Sequence, residues 1–166
     1  MKMFDFGDGP VPARRHRNGG GWVADTAFVA DTAYVGPSAQ VYEKAVVCNY
    51  AEIFGNARIS GSAWVWDEAH VGGNVLVYGD AKVFQEAKVY GDAVISDRAH
   101  ISGKALVYGH TWIYGDAQVF DNARVKDNAR VFGWARVCGR AEIFDHATVY
   151  GNVVVSGNAR VWKDLY

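Results

Sequence analysis

Residues 73–96 read GNVLVY GDAKVF QEAKVY GDAVIS, four hexads of one design. The first two places are mostly Gly, Asp or Asn, the third is small, and the fifth is β-branched. Carried outward in both directions, this frame covers residues 19–162 without one insertion or deletion, which makes 24 hexads in register. The third place is Ala in 20 of the 24, with Gly21, Val75, Thr111 and Val153 as exceptions, and the fifth is Val or Ile in all 24. A short, unbroken self-similar period is the signature of a solenoid.

Positions three to six alternate small, variable, β-branched and variable, the period of a strand with one buried face. Gly, Asp and Asn at positions one and two are turn formers that accept unusual backbone angles. Strands of about four residues joined by two-residue turns are predicted. Because every hexad carries the same pattern, coiling is favoured over hairpins, each strand pairing in parallel with its equivalent one turn away. Three hexads per turn give a triangular prism of eight coils, about 38 Å long at the usual strand spacing. Its inside holds only Ala and Val or Ile, a stack of methyl groups too tight for a ligand.

The run V-Y-G-D-A-x, as in Tyr78-Gly79-Asp80-Ala81 and Tyr90-Gly91-Asp92-Ala93, resembles the hexapeptide repeat of left-handed parallel β-helix proteins. The resemblance extends over residues 19–162. It implies an all-β, left-handed parallel β-helix, whereas general connection rules favour right-handed crossovers. That family includes trimeric acyltransferases, γ-class carbonic anhydrase-like proteins and many bacterial and phage proteins. The wording here is most similar to the last group, which implies a phage or prophage origin.

The chain of 166 residues divides into a leader (1–18), the solenoid (19–162) and a short tail (163–166). A net charge of −1 provides no general attraction to nucleic acid or to an anionic membrane. The start, MKMFDFGDGP, has no apolar signal region, so cytoplasmic residence is expected. Cys48 and Cys138 fall in one column five coils apart, too far for a disulfide. The leader carries Arg14, Arg15 and Arg17, and has two readings: a partner contact, or a cap over the unpaired backbone at the end of the prism. Trp22, Phe28 and Tyr34 form an outward collar in the first coil, over which Phe4, Phe6, Pro10 and Pro12 are expected to pack.

With the interior filled, function is expected outside. The three faces begin at Gly19, Asp25 and Asp31. The third has the charged outward residues Glu52, Lys88, Arg124, Lys126, Glu142 and Arg160. The first and second together carry aromatics, Trp64, Trp66, Trp112 and Tyr114 foremost among them. So large an apolar surface predicts a homotrimer with those two faces turned inward and the third solvated. The competing reading is that the aromatics stack along each face. Arg124, Lys126, Arg130, Arg136 and Arg140, with Trp134 at a corner, form a belt interleaved with Asp121, Asp127 and Glu142. That belt reads as mixed surface charge, and nucleic acid is not expected as a partner.

Enzymes of the resembled family use a His near a subunit boundary and acyl-CoA between neighbouring prisms, with a loop excursion and a C-terminal helix that this chain lacks. The dyad that fits best is His70 with Glu52 one coil earlier, and His100 is a second candidate base. Lys88 follows in the same column, so the ladder also reads as charge pairing. His110 and His146, two coils apart, are too distant to share a metal, and no metal or other cofactor is expected. The sequence therefore predicts a non-catalytic binding or scaffolding module that meets a protein partner through aromatic faces or ends. The alternative is an acyltransferase-like enzyme at a trimer interface, and a third reading is a carbohydrate binder stacking sugars on Trp64, Trp66 or Trp112.

The inward assignment has a direct test. Val83→Asp buries an unpaired carboxylate among methyl groups and should abolish folding. Circular dichroism reads the outcome, and a folded variant would show that inside and outside are exchanged.

Overall fold

The computed structural model describes residues 2–166, and its regular elements are all strands. A hairpin of β1 (Lys2–Asp5) and β2 (Pro10–Arg15) precedes β3 (Trp22–Ala24), and two-residue strands follow from β4 (Phe28–Val29) to β26 (Arg160–Val161). Each strand of the coils pairs in parallel with the strand one coil away, Trp64 opposite Lys82 and Lys82 opposite His100. The result is a β-solenoid of about eight turns, built on three sheets of ten, eight and eight strands. The hairpin makes the first sheet longer.

The strands are shorter than the expected four residues because each corner is itself a four-residue turn. Ala87 N–H donates to the Phe84 carbonyl at 3.4 Å and Ala99 N–H to that of Ser96 at 3.1 Å, so positions six and three belong to the bend. Position six still donates along the axis, as Trp66 N–H does to Val83 O at 3.1 Å. The interior follows the alternation. From Ala33 to Val149 every residue at the third and fifth places is fully buried.

The corner explains the residues at position one. It is left-handed there, with φ of +63° at Gly55, and a Cβ on Gly55 would come within 2.8 Å of the Gly73 backbone. Where a side chain does occupy this position, it turns the close approach into a hydrogen bond. Asp97, at φ +55°, accepts from Gly115 N–H at 2.9 Å, and Asp121 accepts from Gly139 N–H at 3.0 Å. Glu43 takes Gly61 N–H and Gln85 takes Gly103 N–H in the same way. The axial ladder leaves these amides without a carbonyl, so an acceptor side chain one coil earlier offsets the strain of the left-handed backbone.

The ladder also gives the prism a polarity. Asp80, Lys82 and Phe84 N–H donate forward to Asp97, Ala99 and Ile101 O. The first coil is therefore left with carbonyls and the last with amides. At the start, segment 16–21 crosses the end and supplies donors. Buried His16 Nε2 and Asn18 Nδ2 both lie 3.0 Å from Ala33 O, and Gly21 N–H donates to Val35 O at 2.8 Å. At the other end the tail supplies acceptors, Asp164 Oδ1 to Thr148 N–H at 3.0 Å and Leu165 O to Tyr150 N–H at 3.1 Å.

The leader aromatics take a different path from the one expected. Phe4 stacks on Trp22 at 4.4 Å, but Phe6 stacks on Tyr42 in the second coil at 4.9 Å, and Arg58 donates to Phe6 O from the third. These contacts draw the hairpin along the outside of the first face, and Phe28 remains 58% exposed. The collar is thus met on one face only, because β2 continues the first sheet antiparallel to β3.

Thr111 departs from the interior pattern. It is fully buried between Ala93 and Ala129 of its column, and its hydroxyl has no hydrogen-bond partner among the described residues. Thr111→Val keeps the volume and removes an unsatisfied hydroxyl, and should stabilise the fold by about 1–2 kcal/mol. A thermal melt that rises supports this account; one that falls would show that the hydroxyl is satisfied.

Candidate functional site

Each sequence-predicted site residue has a defined neighbourhood. His70 Nδ1 and Glu52 Oε2 meet at 3.5 Å, in register with each other and with Lys88. The pair stands on the open third face with both side chains substantially solvated. Of the leader cations, Arg14 reaches Asp25 at 3.4 Å and Arg17 reaches Asp31 at 3.0 Å. Arg15 donates to Gly20 O and Pro37 O and lies 4.2 Å from the Trp22 ring centroid. All three are tied to their own chain.

Apart from Tyr50 and Trp134 at position two, the aromatics of the coils fall into two groups by position in the hexad. Many of those at position six stack along the corners. Trp66 lies flat on Phe84 at 4.4 Å, and Tyr114, Phe132 and Tyr150 form a column at 4.7 and 5.2 Å. The third face has looser, tilted ring pairs, Phe54 with Tyr90 at 6.0 Å and Phe144 with Trp162 at 6.2 Å, so it is less purely charged than its outward residues suggested. At position four, beyond the first coil, Trp64 meets Trp66 only edge-on at 6.2 Å and Trp112 has no ring partner among the described residues, and the two are 46% and 49% exposed. On the first face Leu76, Val94 and Trp112 lie in register, with exposed Tyr78 alongside. That makes a flat apolar strip bounded by Arg58 and Arg130, the next residues in the column.

The second face changes character along its length. Past Trp64 its outward column becomes Lys82, His100, Gln118 and Arg136. A parallel column at position two holds Arg98, Asp116 and Trp134. Between the columns runs an open groove of about 660 Å³, lined by Arg98, His100, Asp116, Gln118, Trp134 and Arg136 and reaching Asn152. Arg98 donates to Asp116 at 2.8 Å. Arg136 lies 5.3 Å from the Phe120 centroid and makes no carboxylate contact among the described residues. Sequence reasoning placed Trp134 at a corner but not beside His100 and Gln118. The available signal was a Trp at a position held, apart from Tyr50, by small, polar or charged residues.

The basic belt does not converge on one surface. Arg124 and Arg160 both reach Glu142 at 3.4 Å on the third face, whereas Arg130 and Arg136 stand on the first and second. Burial raises the Cys48 thiol pKa, and Asp67 adds to the effect.

These observations define the chain as a β-solenoid repeat protein. Residues 51–66, 117–133 and 135–157, about a third of the chain, match the model of the YdcK beta solenoid repeat, so repeats of that kind are what these coils are similar to. No curated protein matches the chain in sequence.

His100 is the titratable group of the groove whose surroundings act most clearly. Partial burial lowers its pKa from the ordinary imidazole value; nearby Lys82 lowers it further, and Asp116 opposes them. The ring is therefore neutral at pH 7 and can both donate and accept a hydrogen bond. An NMR titration should place its midpoint below that of a free imidazole. Lys82→Gln should move the midpoint up and Asp116→Asn should move it down; an unshifted midpoint in both variants would refute this account of the site.

Proposed function

We propose that this protein is a rigid, non-catalytic binding and scaffolding module that associates with copies of itself through its first face. The observation that carries the reading is the strip on the first face in which exposed Leu76, Trp112 and Tyr78 flank half-buried Val94, on a prism with a filled interior. Large rings at position four are not needed for packing, since the position-six stacks already stabilise the corners. Flat apolar area of this kind is better covered by another protein than by water. The aromatic pattern of the sequence turns the second face inward as well, but its outward column is polar beyond Trp64, so in this reading it stays accessible, as does the third. The expected assembly is a homotrimer.

The contact between His70 and Glu52 supports a second reading, an acyl-CoA-dependent enzyme with His70 as base. Against it stand the solvation of the pair and the continuation of the column into Lys88, which fit a surface charge ladder better.

Native mass spectrometry tests both readings. The wild type should be a homotrimer that ignores acetyl-CoA. The double variant Leu76→Asp, Trp112→Arg should be a folded monomer with an unchanged dichroism spectrum. A monomeric wild type, or a variant that still associates, removes the first face as the contact. Stoichiometric uptake of acetyl-CoA, lost in His70→Ala, would replace the scaffold by the enzyme.

A further inference from the structure

We propose that the groove on the second face binds a carboxylate-bearing saccharide, with a sugar ring against Trp134 and its carboxylate on Arg136. The site is independent of the self-association proposed above, because the apolar strip lies on a different face.

Three observations carry it. Trp134 is 66% exposed and forms a wall of the groove. The negative face of an indole attracts the slightly positive C–H edge of a pyranose ring, and the flat shapes match. Beside it stand planar polar groups of the kind that hold neighbouring hydroxyls: Gln118, Asn152 and the Arg98–Asp116 pair. His100, neutral at pH 7, adds a group that can donate and accept.

The charge of the groove selects among saccharides. Arg98 and Asp116 cancel, His100 is uncharged, and Arg136 is left over. Its guanidinium, placed over Phe120, has the geometry for a bidentate carboxylate contact. The groove therefore presents one unmatched positive charge next to a stacking ring, which suits a sugar acid better than a neutral sugar. The groove is also long and open, and its columns repeat once per coil, at about 4.8 Å. This rise is commensurate with successive pyranose rings, so an oligomer can run along the prism axis. The depression on the third face among Arg124, Arg140, Glu142 and Arg160 offers no such combination, since it has no aromatic wall and Glu142 already engages two of its cations.

Isothermal titration of the full chain tests the proposal with a short oligogalacturonate, its methyl ester, sialyllactose and a single-stranded oligonucleotide. At least one acidic saccharide should bind, and more tightly than the neutral ester. Trp134→Ala should weaken that binding by about tenfold or more. Arg136→Gln should remove the preference for the acid over the ester, and Lys88→Gln on the third face should change nothing. Trp134 and Arg136 are exposed, so an unchanged melting temperature confirms that both variants are folded. The proposal is overturned if neither acidic saccharide binds, or if Trp134→Ala and Arg136→Gln bind as the wild type does. Tighter binding of the oligonucleotide, weakened by the same substitutions, would reassign the groove to nucleic acid.

Discussion

The narrowness of the prism governs the rest of the structure. Three sheets meet so closely that only Ala at one inward place and Val or Ile at the other fill the space at ordinary packing density. A ligand, a water-filled channel or a large ring would each separate the sheets and break the ladders that join the coils. All chemical variety is therefore displaced to the outward places and the corners. Val75 and Thr111, both fully buried at the Ala place, measure the constraint: a branched side chain of Val size fits there, and the Thr111 hydroxyl is tolerated without a partner among the described residues.

A second consequence concerns backbone amides. A parallel ladder that donates along one direction satisfies most of them but leaves the amide at each corner's first place without a carbonyl. Asp97, Asp121, Glu43 and Gln85 serve these amides from one coil earlier, and glycines occupy the same place where a Cβ has no room. The residues that look like simple turn formers thus divide into two kinds, those that relieve crowding and those that supply acceptors. The two ends follow the same logic with opposite chemistry, imidazole and amide donors at the first coil and carboxylate and carbonyl acceptors at the last.

The period of six made the inward register, the three faces and the pairing of Glu52 with His70 legible before any coordinates, because each depends only on counting. What the period could not convey lies where it is broken or absent. The leader has no repeat, so the descent of Phe6 to Tyr42 and of its carbonyl to Arg58 depends on the antiparallel hairpin and was not legible. The groove was hidden for a different reason. Trp134 and Arg136 fall at positions two and four of one hexad and Gln118 at position four one coil earlier, and the grouping with His100 arises only when the corner bends position two toward position four of the same face. The aromatic columns allow stacking, as of Trp66 on Phe84, or an exposed apolar surface, and pattern alone does not say which rings lie flat and which, like Trp112, stand free.

The in-register pairing of residues 18 apart, as Trp64 with Lys82, turns position in the chain into an angle. Each hexad advances the chain by one third of a rotation, so residue number fixes azimuth as well as height. A duplicated hexad would leave every inward methyl in place and every corner intact, yet would rotate everything downstream by one face. With the duplication between Gln118 and Arg136, Arg136 would leave the column of His100 and Gln118 and join that of Glu52 and His70. Changes in length therefore preserve the surface only in whole coils, and a solenoid of this kind can grow or shrink by full rotations while keeping each face a continuous stripe.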